Sequence, residues 1–514
     1  MSLSTKMIAT FSSLRVKKIE RYVKDSIAIQ ERQFQAVVQA LAATHYGDIL
    51  NIKHSPKDYK EYSSRVPITE YENIRSLVER MLQGEKNILI PGGCTRFAVS
   101  SGTSGGRSKY IPVNDTHLQH CHFRGGSDAL WLYLSTRPDS RFFSTKGLVL
   151  GGSSAPVAQG KNILAGDLSS ILIEKMPPLG RHIRVPQKST LLMNEWNAKM
   201  EAIVQEVKGE NIGSLSGVPS WMLVMIHKVL EEEGKKDLSE VWPELEVFFH
   251  GGISFDQYRH IYHELIPLDR MQYRETYNAS EGFFGIQDDP SDRALLLMLD
   301  YGIFYEFIPI KELESPHPQA IPLEDVKVGE TYAMLISTLG GLYRYMIGDT
   351  VKFTQKDPYK FLIVGRTALY INSFGEELMI SNTNNAIAIV SKEMRCSVLD
   401  YTVAPLLIEK KAQGRHQWIV EFDTEPADLS LFATRLDEEL RKINSDYDAK
   451  RYSNMTLLPL QLFVASKGFF NSFLEDEGKL GGQHKVPRLR NDRKIIDKLL
   501  QRKGLKEIKS TTVE

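Results

Sequence analysis

Beyond Ile88 the chain keeps switching between two apolar periods. Short apolar runs at 88–90 and 147–150 break off into Gly- and Ser-rich stretches, as buried strands feeding loops do. Segments with helical spacing, 191–207 and 219–233, then alternate with them. A chain patterned in this way builds an α/β architecture. Further strands are predicted at 245–249, 294–299, 302–308, 331–337 and 361–364, each ending near a Gly, polar or charged cluster. After about Ile371 the order becomes helix (380–394), two strands (401–408 and 417–422), helix (429–443), strand (460–464) and helix, which predicts a second, smaller α/β domain. At 514 residues the chain is too long for one ordinary core. We therefore expect a large domain over 1–370 and a smaller one over 371–514. At the start of the large domain, Val23, Ile27, Ile29, Phe34, Val38 and Leu41 recur at helical spacing among charges, which predicts amphipathic scaffold helices. No internal repeat or long low-complexity linker separates these parts, so a short hinge is expected.

Charge narrows the partners. Lys plus Arg equals Asp plus Glu at 64 each, so no global basic field draws in nucleic acid or an anionic membrane, and a small-molecule substrate is expected. No window approaches the roughly 20 apolar residues of a membrane span. Residues 1–19 are interrupted by Ser12, Ser13, Arg15, Lys17 and Lys18, unlike a secretory signal. Cys94, Cys121 and Cys396 show no paired zinc or disulfide spacing, and a reducing cytoplasm is the expected location.

Four segments carry chemistry. The first, Ser-Ser-Gly-Thr-Ser-Gly-Gly-Arg-Ser-Lys at 100–109, lies between extended stretches at 97–99 and 110–112. Its glycines allow close backbone approach, and its hydroxyls and Lys109 are donors suited to phosphate oxygens. It reads either as a polyphosphate cradle or as a flexible hairpin. It is not a Walker loop, which ends in Gly-Lys-Ser/Thr ahead of a helix. The second segment, 275–282, offers the Tyr277 ring, a small polar turn and the Glu281 carboxylate, a possible Mg²⁺ ligand or an exposed acidic turn. In the third, 341–349, Asp349 follows a glycine, where a carboxylate can accept ribose hydroxyls; Arg344 could equally pair with it as structural glue. The fourth, 482–488, puts Lys485 on a glycine-led loop, either reaching out of its domain or merely solvated.

In order, Ser-Ser-Gly-Thr-Ser-Gly-Gly, Tyr-x-Ala-Ser-Glu-Gly, Tyr-Arg-Tyr-x-x-Gly-Asp and a late Lys-x-Pro-Arg resemble the nucleotide motifs of the auxin-responsive Gretchen Hagen family of acyl acid amido synthetases, in its shorter, bacterial type, within the adenylate-forming superfamily. The segments 248–252, Phe-Phe-His-Gly-Gly, and 305–309, Tyr-Glu-Phe-Ile-Pro, add to the likeness. The resemblance implies a large adenylate-forming domain of mixed sheets with flanking helices and a smaller mobile domain carrying a catalytic lysine. It implies a ligase that uses ATP and Mg²⁺ to convert a small carboxylic acid into acyl-AMP, then joins the acyl group to an amino acid.

By the same resemblance, Ser100, Ser101, Gly102, Thr103, Ser104, Gly105 and Lys109 form the phosphate loop, with Ser101, Thr103 and Ser104 on the β- and γ-phosphates. Glu281 binds Mg²⁺, Tyr277 and Ser280 belong to the nucleotide site with Tyr277 flanking adenine, and Asp349 holds the ribose. Arg366, in Val-Gly-Arg at 364–366, resembles the superfamily's arginine near ribose and phosphates, or is a structural contact between domains. Lys485 bridges the attacking carboxylate and the α-phosphate. The region 116–147 is expected to line the acyl pocket, with Arg124 as the candidate for the acid's carboxylate, or as a surface arginine. His117, His120 and His122 are read as a helix polar face, because no carboxylate or cysteine partner has a fitting metal-ligand spacing. The alternatives are an acyl-CoA ligase passing the acyl group to a thiol, and a nucleotide-binding protein without turnover. The oligomeric state is open, a monomer included.

Overall fold

The computed structural model describes residues 13–508 except 53, 55, 101–108, 152–153, 157–162, 178–179, 181–182, 194–195, 254, 256–257, 314, 316, 367–369, 409–412, 455 and 478–485. The described residues form two compact units, one of those up to 366 without 258–261, the other of that stretch with the residues from 370 on.

The first unit is organised by a twelve-stranded mixed sheet. Arg184–Val185, Lys146–Val149, Ile212–Gly217, Val247–His250 and Gln272–Ala279 run parallel. Parallel neighbours need a crossover, and Pro219–Glu233 supplies the helix between Ile212–Gly217 and Val247–His250. Pro219 opens that helix, where the missing N–H costs nothing, and Gly234 at φ +62° closes it in the left-handed conformation. From Gln272–Ala279 the sheet continues antiparallel through Gly282–Ile286, Leu295–Leu297, Tyr359–Arg366, Tyr345–Lys356, Thr331–Thr338, Ile303–Pro309 and Ile321–Pro322. Gln272–Ala279 is thus the seam between the parallel and antiparallel halves. A smaller sheet orders Lys109–Pro112, Arg96–Ser100, Leu164–Gly166 and Ser154–Pro156.

Against Ile303–Pro309 lies the helix Tyr22–Ala42, which buries Tyr22, Ser26, Ile29, Gln30, Phe34, Val37, Val38 and Leu41. Gln30 is buried with its amide satisfied: it donates to the carbonyls of Leu299 (2.9 Å) and Ile303 (3.0 Å) and accepts from the Tyr305 N–H (3.0 Å). Val23 and Ile27, predicted on the apolar face, are exposed. They sit one position off the buried residues Tyr22 and Ser26, and on a helix one position rotates a side chain by about 100°. The predicted strand at 88–90 is a buried bend instead. The chain doubles back there, closed by Asn87 N–H donating to the Gly92 carbonyl at 2.7 Å, and Tyr46 N–H donates to the Ile88 carbonyl at 3.1 Å.

In the second unit, a four-stranded sheet orders Ser397–Ile408, Gln413–Thr424, Gln461–Ala465 and Leu505–Ile508. Trp418 and Val420 belong to one apolar core with residues of the helices Ile380–Met394 and Leu429–Ile443, while Ile419 belongs to another with Phe469, Phe470 and Leu499. Alternate side chains on one strand thus fill cores on opposite faces, which explains why 417–422 is buried throughout.

Candidate active site

The Ser-Gly segment is the connection of a hairpin. Phe97 pairs with Pro112, Ala98 with Ile111, Val99 with Tyr110 and Ser100 with Lys109, so the ladder runs up to both flanks of the loop. Buried Phe97 and Ala98 anchor it, and the Tyr110 N–H donates to the Tyr71 hydroxyl at 2.8 Å. Ser101, Gly102, Thr103, Ser104 and Gly105 lie outside the described residues.

Ser280 and Glu281 form the two-residue turn between the seam strand and Gly282–Ile286, closed by the pair Ala279–Gly282. The turn sits at the carboxyl end of the last parallel strand, where open α/β sheets place ligands. Glu281 is only 9% exposed, which excludes a solvated acidic turn.

Asp349 is aimed by an irregularity in its strand. Four steps from Met346 to Thr350 face only two from Ala333 to Leu335. Gly348, at φ +91°, takes up the extra chain. Asp349 pairs in the ladder with Arg366 and its buried carboxylate accepts a hydrogen bond from the Tyr277 hydroxyl. The Tyr277 ring packs on Phe284 and Phe361, with centroids 4.9 and 6.1 Å away. That bond joins residues 72 positions apart in the sequence. Arg344, the other reading of Asp349's partner, pairs instead with Glu306 (2.9 Å) and donates to the carbonyls of Ser63 and Val66 (2.9 Å each). Burial raises the Glu306 carboxyl above its ordinary range, an effect the Arg344 guanidinium opposes.

Arg124 opens the helix Arg124–Thr136 and donates to the Asp300 carbonyl, with His120 beside it, both at 3.1 Å. The polar-face reading holds for exposed His120 and fails for His117 and His122, which are buried. The helical turn Leu118–Phe123 is a π-helix, so α-helical spacing misplaces these side chains.

Models of the GH3 family match three parts of the chain: its N-terminal domain over residues 15–271, its central domain over 296–366 and its C-terminal domain over 381–494. The chain belongs to the GH3 family. The 4-substituted benzoates-glutamate ligase GH3.12 of Arabidopsis thaliana is 23% identical, over 92% of this chain and 94% of that protein. The solved structure of a GH3.15 acyl acid amido synthetase in complex with 2,4-DB shares the fold, with a TM-score of 0.62 and 18% identity over 98% of both chains. A 2-hydroxyisobutyryl-CoA ligase in complex with 2-HIB-AMP and CoA shares it with a TM-score of 0.55 and 13% identity, over 93% of this chain and 92% of that one. Among the described residues no helix is long and apolar enough to cross a membrane.

Lys485 of this GH3 chain lies outside the described residues, but the segment that follows it is pinned. Val486 is buried, the Pro487 carbonyl accepts from the Thr402 hydroxyl at 2.7 Å, and the Arg488 carbonyl accepts from the Val403 N–H at 2.8 Å. The Arg488 guanidinium donates to Asp400 (3.1 Å) and Asn384 (2.9 Å) and lies 5.0 Å over the Tyr401 ring. Neither this anchor nor the Tyr277–Asp349 bond has a local sequence signal, because the partners come from distant segments.

Proposed function

We propose that this chain is an ATP-dependent acyl acid amido synthetase that adenylates a small carboxylic acid, releasing pyrophosphate, and then transfers the acyl group to the amine of an amino acid, releasing AMP. The observation that carries the reading is the Tyr277–Asp349 bond, because it joins two of the nucleotide motifs at the sheet's seam within a chain of the GH3 family. A free carboxylate is a poor electrophile because its leaving group would be oxide; adenylation replaces that with AMP. The protein's part is to hold two anions against each other and neutralise the charge that develops.

In this reading Asp349, held by Tyr277, accepts the ribose hydroxyls, and Tyr277 and Ser280 border the adenosine. Ser100, Ser101, Gly102, Thr103, Ser104, Gly105 and Lys109 bind the leaving pyrophosphate, with Arg366 near ribose and phosphate. The backbone ladder supports this assignment by pairing Ser100 with Lys109 and Asp349 with Arg366. Mg²⁺ takes oxygen ligands, commonly one or two carboxylates together with substrate phosphates. Glu281, a carboxylate on a two-residue turn, suits that donor set and would supply the protein ligand. Lys485 brings a point charge to the carboxylate and the α-phosphate. Arg124 is the proposed contact for the acid's carboxylate, and the three free cysteines suit work in the reducing cytoplasm.

Acid-dependent exchange of labelled pyrophosphate into ATP tests the first half-reaction. Exchange is expected with Mg²⁺ and a suitable member of a panel of aromatic and short-chain acids. ATP binding without exchange for any acid in the panel would overturn the proposal.

A further inference from the structure

His117, Cys121 and His122 each offer one ligand atom, and these atoms lie within 4.8 Å of one another. The residues are 2%, 0% and 2% exposed. The π-turn gathers them. In an α-helix residues five apart point roughly 140° away from each other. A π-turn closes i→i+5 bonds and brings residue 122 back over residue 117. The two imidazoles meet edge to face with centroids 5.1 Å apart.

The surrounding contacts settle where the free lone pairs are. His117 Nε2 is 3.1 Å from the Glu281 carbonyl, which can only accept, so Nε2 carries the proton and Nδ1 the lone pair. His122 Nδ1 is 3.1 Å from Asn278 Oδ1, which leaves the lone pair on Nε2. His117 Nδ1 and His122 Nε2 are both buried without a hydrogen-bond partner. The Phe283 N–H donates to Cys121 Sγ at 3.1 Å. A ring N–H given to an oxygen acceptor while the other nitrogen is left free is the support that metal-bound histidines receive. Without a ligand, two buried nitrogens go unsatisfied.

We propose that His117, Cys121 and His122 form a site for a single thiophilic d¹⁰ cation, Cu⁺ or Zn²⁺. Binding forms one metal–sulfur and two metal–nitrogen bonds, releases the Cys121 thiol proton to solvent and changes no oxidation state. Charge favours Cu⁺: with one thiolate and two neutral imidazoles it makes a neutral buried unit. Zn²⁺ leaves a net positive charge and calls for a fourth ligand. The site is separate from the proposed Mg²⁺ position, whose donors are oxygens. It ties the helical segment 117–122 to the turn that presents Glu281.

The test uses the full chain, stripped with a chelator under anaerobic reducing conditions. Cu⁺ is then offered from its complex with a chromophoric chelator, and Zn²⁺ in competition with a zinc indicator. One ion per chain is expected, with Cu⁺ the tighter, and Cys121→Ser is expected to weaken uptake by about a hundredfold or more. X-ray absorption at the metal edge of the wild-type complex is expected to show one sulfur and two nitrogen neighbours. That reading does not depend on how the variant folds. Uptake of neither ion, an edge without sulfur, or wild-type uptake by Cys121→Ser would overturn the site, and tighter Zn²⁺ would overturn the neutral-charge argument. None of these outcomes depends on amide synthesis.

Discussion

Gly125 and Gly126 are neighbours on the helix Arg124–Thr136, and replacing each by alanine separates packing from helix propensity. A Cβ at Gly125 would fall 2.3, 2.4 and 2.7 Å from three carbons of the Phe283 ring, whereas a Cβ at Gly126 would meet nothing within 4 Å. Both substitutions gain about 1 kcal/mol of helix propensity. Phe283 is buried on Gly282–Ile286, edge-on to Tyr301 at 6.1 Å, so its ring has little room to retreat. Overpacking of this kind costs about 1–3 kcal/mol, and three ring atoms this close put Gly125→Ala at the upper end. The expected outcomes are a loss of about 2 kcal/mol for Gly125→Ala and a gain of about 1 kcal/mol for Gly126→Ala. Propensity cancels in the comparison, leaving a gap of about 3 kcal/mol, more than a hundredfold in the folding equilibrium. Urea unfolding of the two full-length variants, at equal denaturant slope, measures the gap. Phe283 is two residues past Glu281, so Gly125→Ala is also expected to lower acid-dependent exchange, and Gly126→Ala to leave it intact. Stabilities within about 0.5 kcal/mol of each other would refute the packing argument.

Tyr277→Phe keeps the packing on Phe284 and Phe361 and removes the donor to Asp349. A hydrogen bond to a charged group is worth about 1.5–3 kcal/mol, so the KM for ATP in the exchange assay is expected to rise roughly tenfold to a hundredfold. An unchanged KM would take Asp349 out of the nucleotide site. Lys485→Ala is expected to lose adenylation while keeping ATP affinity, measured by calorimetry beside exchange; equal loss of both would mean the lysine's role is misassigned. Lys199 donates to the carbonyls of Gly151 (2.8 Å) and Leu191 (2.6 Å), and burial lowers its pKa to about 8. Between about 8 and 10.5 the unfolded chain holds this proton more readily than the folded one, so Lys199 makes stability rise with pH there and has no effect on the slope below 8. Wild type is expected to gain up to about 2 kcal/mol between pH 8 and 9.5 relative to Lys199→Met. Parallel pH profiles would contradict the burial argument.

Three helices were legible to the residue: Pro219–Glu233, Ile380–Met394 and Leu429–Ile443. Each is long enough for its apolar period to be clear. Strand centres were legible too, but their ends follow the neighbour in the ladder, so the strand predicted at 361–364 extends over Tyr359–Arg366 to match Tyr345–Lys356. At the site, the motifs marked Glu281 and Asp349, yet each allowed a bland alternative that only tertiary structure excludes: burial for Glu281, and the Glu306 pairing of Arg344 for Asp349. The grouping of His117, Cys121 and His122 is hidden in the sequence because an α-helical period separates residues that the π-turn brings together.

Whether the adenylate is passed to an amine is read most directly by mass spectrometry of the products. The chain is incubated with ATP, Mg²⁺ and an acid that supports pyrophosphate exchange, together with mixed amino acids and coenzyme A in equal supply. The expected product is the N-acyl amino acid, formed with one AMP and one pyrophosphate per amide. Acyl-CoA formed in its place, with no amide, would contradict the proposed function.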